Sequence, residues 1–131
     1  MKTTLMNKLI LASLALLPFV SGCAAVIGVG AGLVISQEMT DNNTFVTHLN
    51  SDLDTVWPTV KSTLSEASLG LVDVDEELRV ARAKVDGATV TVSCEAYDND
   101  KTIMRVMARR YGLNAGETAQ KVHEQIVAAL H

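Results

Sequence analysis

The sequence predicts a two-layer α+β domain, in which one N-terminal and one C-terminal helix cover a four-stranded antiparallel meander (α-β-β-β-β-α). Three observations support this fold. Apolar residues repeat with helical spacing over residues 53–67 and again over 119–130, whereas over 70–109 they alternate with polar residues, as in strands with one buried face. The Asp86-Gly87 pair is a strong signal for a two-residue hairpin turn. Two helices with single apolar stripes need a shared partner, which a half-buried sheet provides.

The first helix is predicted to begin at Ser51 or at Asp54. Ser51 with an acidic residue three positions later is typical of a helix start, and a start at Asp54 would place Pro58 in the first turn, where proline is tolerated. Trp57 is the largest residue of the apolar stripe, so we expect it in the core; stacking on a ligand is the alternative. The stripe consists of Leu53, Val56, Trp57, Val60, Leu64 and Ala67.

Turn signals divide the alternating region into strands over residues 71–74, 78–85, 88–97 and 102–109. A further short edge strand is predicted over 44–49. A two-residue turn at Asp86-Gly87 sets Val85 opposite Ala88, and this register decides which side chains point inward. The inward set of the third strand is Val90, Val92, Cys94 and Ala96.

The same register predicts an outward sheet face that combines hydroxyl groups with cations. Thr89 and Thr91 would lie beside the basic residues of the preceding strand and, if the next turn has three or five residues, beside those of the following strand as well. The last helix is predicted to be capped by residues 114–117 and to turn an apolar stripe inward. The basic face comprises Arg82, Lys84, Arg105, Arg109, Thr89 and Thr91, and the helix stripe comprises Ala119, Val122, Ile126, Ala129 and Leu130.

Residues 1–22 have the features of a bacterial lipoprotein signal peptide. Lys2 and Lys8 precede an apolar run from Leu9 to Val20. The sequence Val20-Ser21-Gly22-Cys23 then matches the pattern at which Cys23 receives diacylglycerol and the signal is cleaved. We therefore expect fatty acyl (palmitate-type) chains on Cys23, which hold the protein on a membrane without a spanning helix. The alternative is an uncleaved signal anchor followed by an ordinary cysteine.

Residues 23–43 are predicted to be a lipidated, membrane-proximal tether, and residues 44–131 a single domain. Ala24 follows the lipidated cysteine, which favours sorting to the outer membrane with the domain facing the periplasm. Glycines at 28, 30 and 32 suggest a flexible segment or a packing face. They do not open a helix within a βαβ unit, so they are not read as a dinucleotide site. Residues 37–43 are polar and are predicted to be a linker.

Charge and cysteine content exclude two classes of protein. The 131-residue chain carries 11 Lys and Arg against 15 Asp and Glu, a net charge of −4. Loss of the signal peptide with its two lysines leaves 109 residues with a net charge of −6. Nucleic acid is an unsuitable partner for an acidic chain. Since acylation occupies Cys23, Cys94 has no partner for an intrachain disulfide.

The sequence predicts neither a catalytic centre nor a metal or cofactor site, and we expect no enzyme. His48, His123 and His131 do not lie at metal-ligand spacing. Cys94 belongs to an inward apolar set, where a thiol stays protonated and inert. The acidic residues 75–77 are predicted to form a solvated turn, with weak calcium binding as the alternative.

Residues 49–130 resemble a family of small bacterial lipoproteins catalogued as a domain of unknown function. The resemblance rests on Asp54-x-Val56-Trp57 in the first helix, on Asp86-Gly87 with the threonine-rich strand after it, on Arg105-Val106, and on Gly112 before the last helix. Met107 and Leu113 stand where the family has Gly and Asp. The resemblance implies the fold and the location and transfers no catalytic residue.

The basic sheet face supplies the main functional hypothesis, which is a binding or envelope-assembly module. Its partner would be an anionic envelope polymer, a lipid head group or an acidic protein surface, held by charge-assisted hydrogen bonds. A solvated face whose cations only prevent edge-to-edge aggregation is the simpler interpretation. The alternative function is the binding of a small molecule or lipid in a cleft between helix and sheet near Trp57.

Overall fold

A computed structural model of the protein describes residues 33–41 and 43–131. The predicted signal peptide (1–22), the predicted lipidation site Cys23 and the glycines at 28, 30 and 32 lie outside the described residues. In chain order the elements of the described part are β1 (Val34–Thr40), β2 (Thr44–Leu49), α1 (Leu53–Ala67), β3 (Asp73–Asp75), β4 (Val80–Val85), β5 (Ala88–Asp98), β6 (Lys101–Arg110), β7 (Leu113–Asn114) and α2 (Gly116–Ala129).

The strands form one antiparallel sheet in the order β1-β2-β6-β5-β4-β3, and β7 pairs with the last residues of β6. The four predicted strands of the meander correspond to β3 to β6, and the further strand predicted over 44–49 is β2. That strand is not at the edge of the sheet, because β1 pairs with it, and the prediction was wrong in omitting β1 and β7. Residues 37–40, predicted to be linker, belong to β1, which covers the far edge of β2. Residues 35–40 are exposed on both faces of β1. The strand therefore lacks the alternation of apolar and polar residues by which a half-buried strand is recognised in a sequence.

Both helices lie on one face of the sheet, which confirms the two-layer α+β architecture. Helix α1 packs mainly over β4 and β5, and α2 packs mainly over β6 and β2. Between the layers lie the inward side chains of the strands and the stripes of the helices. The fully buried members include Val60, Leu64, Val90, Val92, Met104, Val106, Val122 and Ile126.

Two residues predicted to point inward are exposed: Ala129, which is the last residue of α2, and Ala96 on β5. Strand β4 begins at Val80, which pairs with Ser93, so β5 has no neighbour on that side beyond Ser93. Ala96 therefore lies where the sheet has narrowed and little covers it. Val90, Val92 and Cys94 are buried as predicted.

Two hairpins in the sheet use the same turn geometry. Asp86 and Gly87 have φ values of 51° and 78°, which confirms the predicted type I′ turn between β4 and β5. Tyr111 and Gly112, with φ values of 53° and 75°, make an equivalent turn between β6 and β7. Positive φ at both central positions matches the right-handed twist of the strands on either side.

These turns define one end of the sheet, called here the Tyr111 end. The opposite end, called the Leu33 end, contains Leu33, the close of β2 and the turn at residues 99–100 between β5 and β6. Because β6 runs the full length of the sheet, the two ends are about 34 Å apart at 3.4 Å per residue over its ten residues.

Both helices begin differently from the prediction. The N-cap of α1 is Asp52, and its carboxylate accepts a hydrogen bond from the Thr55 hydroxyl at 2.6 Å. The helix therefore starts before Asp54, and Pro58 lies inside it. Ala115 occupies the N-cap of α2. Asn114 cannot cap α2, because it belongs to β7 and its amide donates to the Asp41 carbonyl at 3.0 Å.

Candidate functional site

The strand register brings the predicted basic face together on the side of the sheet that no helix covers. Lys84, Thr89 and Arg109 are direct cross-strand neighbours on β4, β5 and β6. The next row on the same face contains Arg82 and Thr91. Arg105 lies one row further, opposite Ser93. The six residues predicted for this face are thus on one surface, as the hairpin register required.

Carboxylates on the same face neutralise two of its four predicted cations. Arg82 Nη1 lies 3.9 Å from Asp73 Oδ2 on the neighbouring β3. Arg105 Nη1 lies 3.4 Å from Glu95 Oε2 on β5. The uncovered face therefore has mixed charge near β3 and the Leu33 end, and fewer of its predicted cations are free there to bind a partner.

Lys84 and Arg109 form no ion pair with any described residue. Arg110, at the end of β6, donates to the backbone carbonyl of Asp86 and also forms no ion pair within the described part of the chain, although its charge contributes to the lowered pKa of the Asp86 carboxyl group. The other six lysines and arginines of residues 33–131 all form ion pairs. The three cations without an ion pair lie together at the Tyr111 end, where Asp86 is paired with Lys121 and Glu117 also lies. Cations that no carboxylate pairs with are therefore concentrated at this end.

Trp57 lies in the core and its indole has a fixed polar partner. Only 3% of the residue is exposed, and Nε1 donates to Glu76 Oε2 at 2.7 Å. The Glu76 carboxylate also pairs with Lys61 Nζ at 2.8 Å and with Arg79 at 3.3 Å. Hydrogen bonds from Lys61 and then from Trp57 lower the pKa of Glu76. The indole N–H is the polar group with which Trp57 could bind a ligand in a helix-sheet cleft, and Glu76 already accepts its hydrogen bond.

The sequence does not predict the Glu76 cluster, because the acidic run at residues 75–77 is typical of a solvated turn. Asp75 Oδ1 does accept the backbone N–H groups of Glu77 and Leu78, at 3.1 Å and 2.9 Å, as in an ordinary Asx turn. Glu76 instead reaches back 19 residues to α1. No local pattern signals such a contact.

Cys94 is placed as predicted for an inert thiol. It is buried on the inward face, and burial raises its pKa to about 12, so the nucleophilic thiolate is scarce at neutral pH. Within the described residues, no group of three or more histidine, cysteine, aspartate or glutamate side chains has the geometry to hold a metal ion.

His123 is a structural residue of the covered face. It is 2% exposed, its Nε2 lies 2.5 Å from the Thr47 hydroxyl, and its ring stacks on Phe45 with the centroids 5.4 Å apart. Burial lowers the pKa of His123. His48 lies on the other face, where it contacts Ser36 at 2.9 Å and the edge of Tyr97. Opposite faces of the sheet thus separate these two imidazoles.

The Tyr111 end also carries an open cleft of about 640 Å³, which the sequence did not predict. The two turns and the first residues of α2 line it. Lys121 Nζ and Asp86 Oδ2 pair across one wall at 2.7 Å, and this hydrogen bond lowers the pKa of Asp86. The Tyr111-Gly112 pair in the sequence was the available signal for the second turn, although tyrosine is an unusual first residue for it.

Comparisons with known proteins identify no relative. No family model matches the chain, and no curated protein matches its sequence. Membership of the lipoprotein family that residues 49–130 resemble therefore stays a prediction. Of the helices in the described ranges, neither has the length and apolar character needed to cross a membrane.

Proposed function

We propose that the chain is a periplasm-facing, outer-membrane lipoprotein, anchored through acylated Cys23, whose uncovered sheet face binds an anionic partner in the cell envelope. It acts by binding, as a recognition or assembly module, and uses neither a cofactor nor a metal. The observation that carries this proposal is the segregation of the two faces. Both helices pack on one side, and the other side presents Lys84 and Arg109 across the hydroxyl of Thr89 without a carboxylate partner among the described residues.

The arrangement suits an anion because a hydroxyl flanked by two cations offers one neutral and two charged hydrogen-bond donors in one row. Charge-assisted hydrogen bonds to phosphate or carboxylate are stronger than neutral ones. Since Arg82 and Arg105 already have carboxylate partners on the face, they contribute less to a new contact. The partner is therefore expected to contact the Lys84–Thr89–Arg109 row.

Binding of the purified protein to envelope fractions tests this assignment. The Lys84→Ser, Arg109→Ser double variant should bind more weakly by about tenfold for each cation removed. The Arg82→Ser, Arg105→Ser variant is the matched control, because it removes the same number of cations from the same face. An equal loss of binding in both variants would show that binding depends on net charge alone. No loss of binding in either variant would refute the proposed binding face.

Anchoring is tested separately by mass spectrometry of the N-terminal peptide from cells. The parent protein should begin at an acylated Cys23, and the Cys23→Ser variant should lack the acyl groups. Cys94→Ser is the matched control, since that thiol is buried and should leave acylation unchanged. An unmodified Cys23 behind an intact leader would contradict the proposed anchor.

A further inference from the structure

We infer that the Tyr111 end of the domain docks on a bilayer surface that contains anionic lipid. The inference deepens the proposed function and rests on it in one respect, because the acylated anchor keeps the domain close to a bilayer. The anionic partner would then be lipid phosphate, and the docking group would be the end of the sheet together with its apolar turns.

The Tyr111 end carries the most exposed apolar side chains of the described residues. Tyr111 and Leu113, on the β6–β7 hairpin, are 95% and 72% exposed. Leu69 and Leu71, in the loop before β3, are 101% and 98% exposed. Asp73 pairs with Arg82 in antiparallel register, so the chain before Asp73 runs towards the Val85 end of β4. Both apolar segments therefore reach the same end of the sheet.

The backbone conformation of Tyr111 indicates that its side chain does not serve to stabilise the fold. Its φ of 53° lies in the left-handed region, which glycine, asparagine and aspartate favour and aromatic residues seldom adopt. The ring makes no core contact that would compensate, since it is almost fully exposed. An aromatic side chain held outward at a strained position is better explained by a contact that it makes with another surface.

Charge makes this surface complementary to a bilayer. Lys84, Arg109 and Arg110 surround the turns and form no ion pair with a described residue, whereas the other lysines and arginines of the described ranges are paired, Lys121 with Asp86 at this same end. Tyrosine is favoured at the level of lipid head groups, leucine partitions towards the acyl chains, and lysine and arginine bind the phosphates. The projecting hairpin tip fits a deformable surface of this kind.

The length of the tether permits the contact. Ten residues separate Cys23 from Leu33, a span of at most about 36 Å at full extension. This is similar to the length of the sheet, about 34 Å at 3.4 Å per residue over β6. Although Leu33 lies at the opposite end, the Tyr111 end can therefore reach the bilayer in which the anchor sits.

The test is tryptophan fluorescence of the full lipidated protein reconstituted in vesicles of brominated phospholipid. A Tyr111→Trp variant places a reporter at the tip, and subtraction of the parent spectrum removes the buried Trp57. We expect blue-shifted, quenched emission when the vesicles contain phosphatidylglycerol. Tyr97→Trp is the matched control, because Tyr97 is exposed on the uncovered face near the Leu33 end. Quenching at 97 with none at 111 would overturn the inference.

The charge requirement is tested in the Tyr111→Trp background. Replacing Lys84 and Arg109 by Ser, or omitting the anionic lipid, should lower the ratio of docked to undocked domains, by about fivefold for each cation removed. Quenching at position 111 that is the same after both changes would overturn the inference. A Leu113→Trp variant repeats the measurement if Tyr111→Trp perturbs the turn.

Vesicle flotation separates the two proposals. Protein that does not float contradicts the anchor, whereas floating protein with an unquenched tip contradicts docking alone.

Discussion

The two ends of the sheet use the same kinds of side chain in opposite ways. At the Leu33 end, Lys101 lies 3.1 Å from Asp100 and 3.7 Å from Asp98. In the turn between β3 and β4, on the side of β4 away from the Tyr111 end, Glu76 accepts a hydrogen bond from the Trp57 indole. At the Tyr111 end, Arg109 has no ion pair with a described residue and the ring of Tyr111 is 95% exposed. Cations and aromatics with partners hold the fold together, and those without partners remain available for binding. The number of cations on a face is therefore a poor guide to its function.

The largest expected effect is the loss of stability when Trp57 is replaced by alanine, compared with the same replacement at Tyr111. Trp57→Ala should lower the free energy of unfolding by about 3–5 kcal/mol, because it leaves a cavity in the core and removes the indole partner of Glu76. Tyr111→Ala should change it by less than about 0.5 kcal/mol, since the ring buries almost no surface. Urea unfolding measures both. A similar decrease in the free energy of unfolding in both variants would contradict the claim that Trp57 stabilises the fold and Tyr111 does not.

The covered face should respond to acid through His123, whose buried ring stays neutral. Its pKa is lowered in the folded state, so below about pH 6.5 the unfolded chain binds a proton that the native protein does not. Stability should fall as the pH drops through this range, by up to about 1.4 kcal/mol per pH unit. His123→Gln should remove this part of the slope. His48→Gln, on the uncovered face, should retain it, and a slope that follows His48 would contradict the assignment.

A smaller effect of opposite sign is expected at the Tyr111 turn. Tyr111→Asn should raise the free energy of unfolding by about 1 kcal/mol, because asparagine tolerates the left-handed backbone better than tyrosine. The same variant should lose docking to anionic vesicles. A gain in stability together with a loss of binding would show that the turn is maintained for contact; a variant that binds as well as the parent would contradict this.

The smallest expected effect is at Cys94, whose thiol should not react in the native protein. Burial raises its pKa to about 12, so labelling at neutral pH should proceed only as the domain unfolds. With Cys23 acylated as proposed, the chain has no other free thiol, which makes the measurement simple. Prompt labelling without denaturant would show that the covered face is open at β5 and that the thiol is not inert.

Local signals in the sequence predicted much of the fold. The stripes of α1 and α2, the alternation along β4 to β6 and the turn at Asp86-Gly87 are each encoded within a few residues. The register from that turn predicted that Lys84 lies on the uncovered face, and the prediction for Arg109 also required a turn of three or five residues between β5 and β6. The features that were missed depend on contacts distant in sequence or on backbone pairing without a side-chain pattern.

Strand β1 and the charge pattern illustrate that limit. Strand β1 binds β2 through its backbone while most of its side chains remain exposed, so no periodicity marks it. Whether Arg82 is neutralised depends on the pairing of β3 with β4, and whether Trp57 has a polar partner depends on a contact 19 residues away. The difference between the two ends follows from such pairings, and composition alone does not predict it.

Hydrogen exchange of the lipidated protein, free in detergent and bound to anionic vesicles, tests the central claim most directly. Amide exchange should slow on binding in residues 69–72 and 109–114 at the Tyr111 end, and should stay unchanged in 97–101 at the Leu33 end. Protection confined to 97–101, or none at either end, would contradict the assignment of the unpaired end as the contact surface.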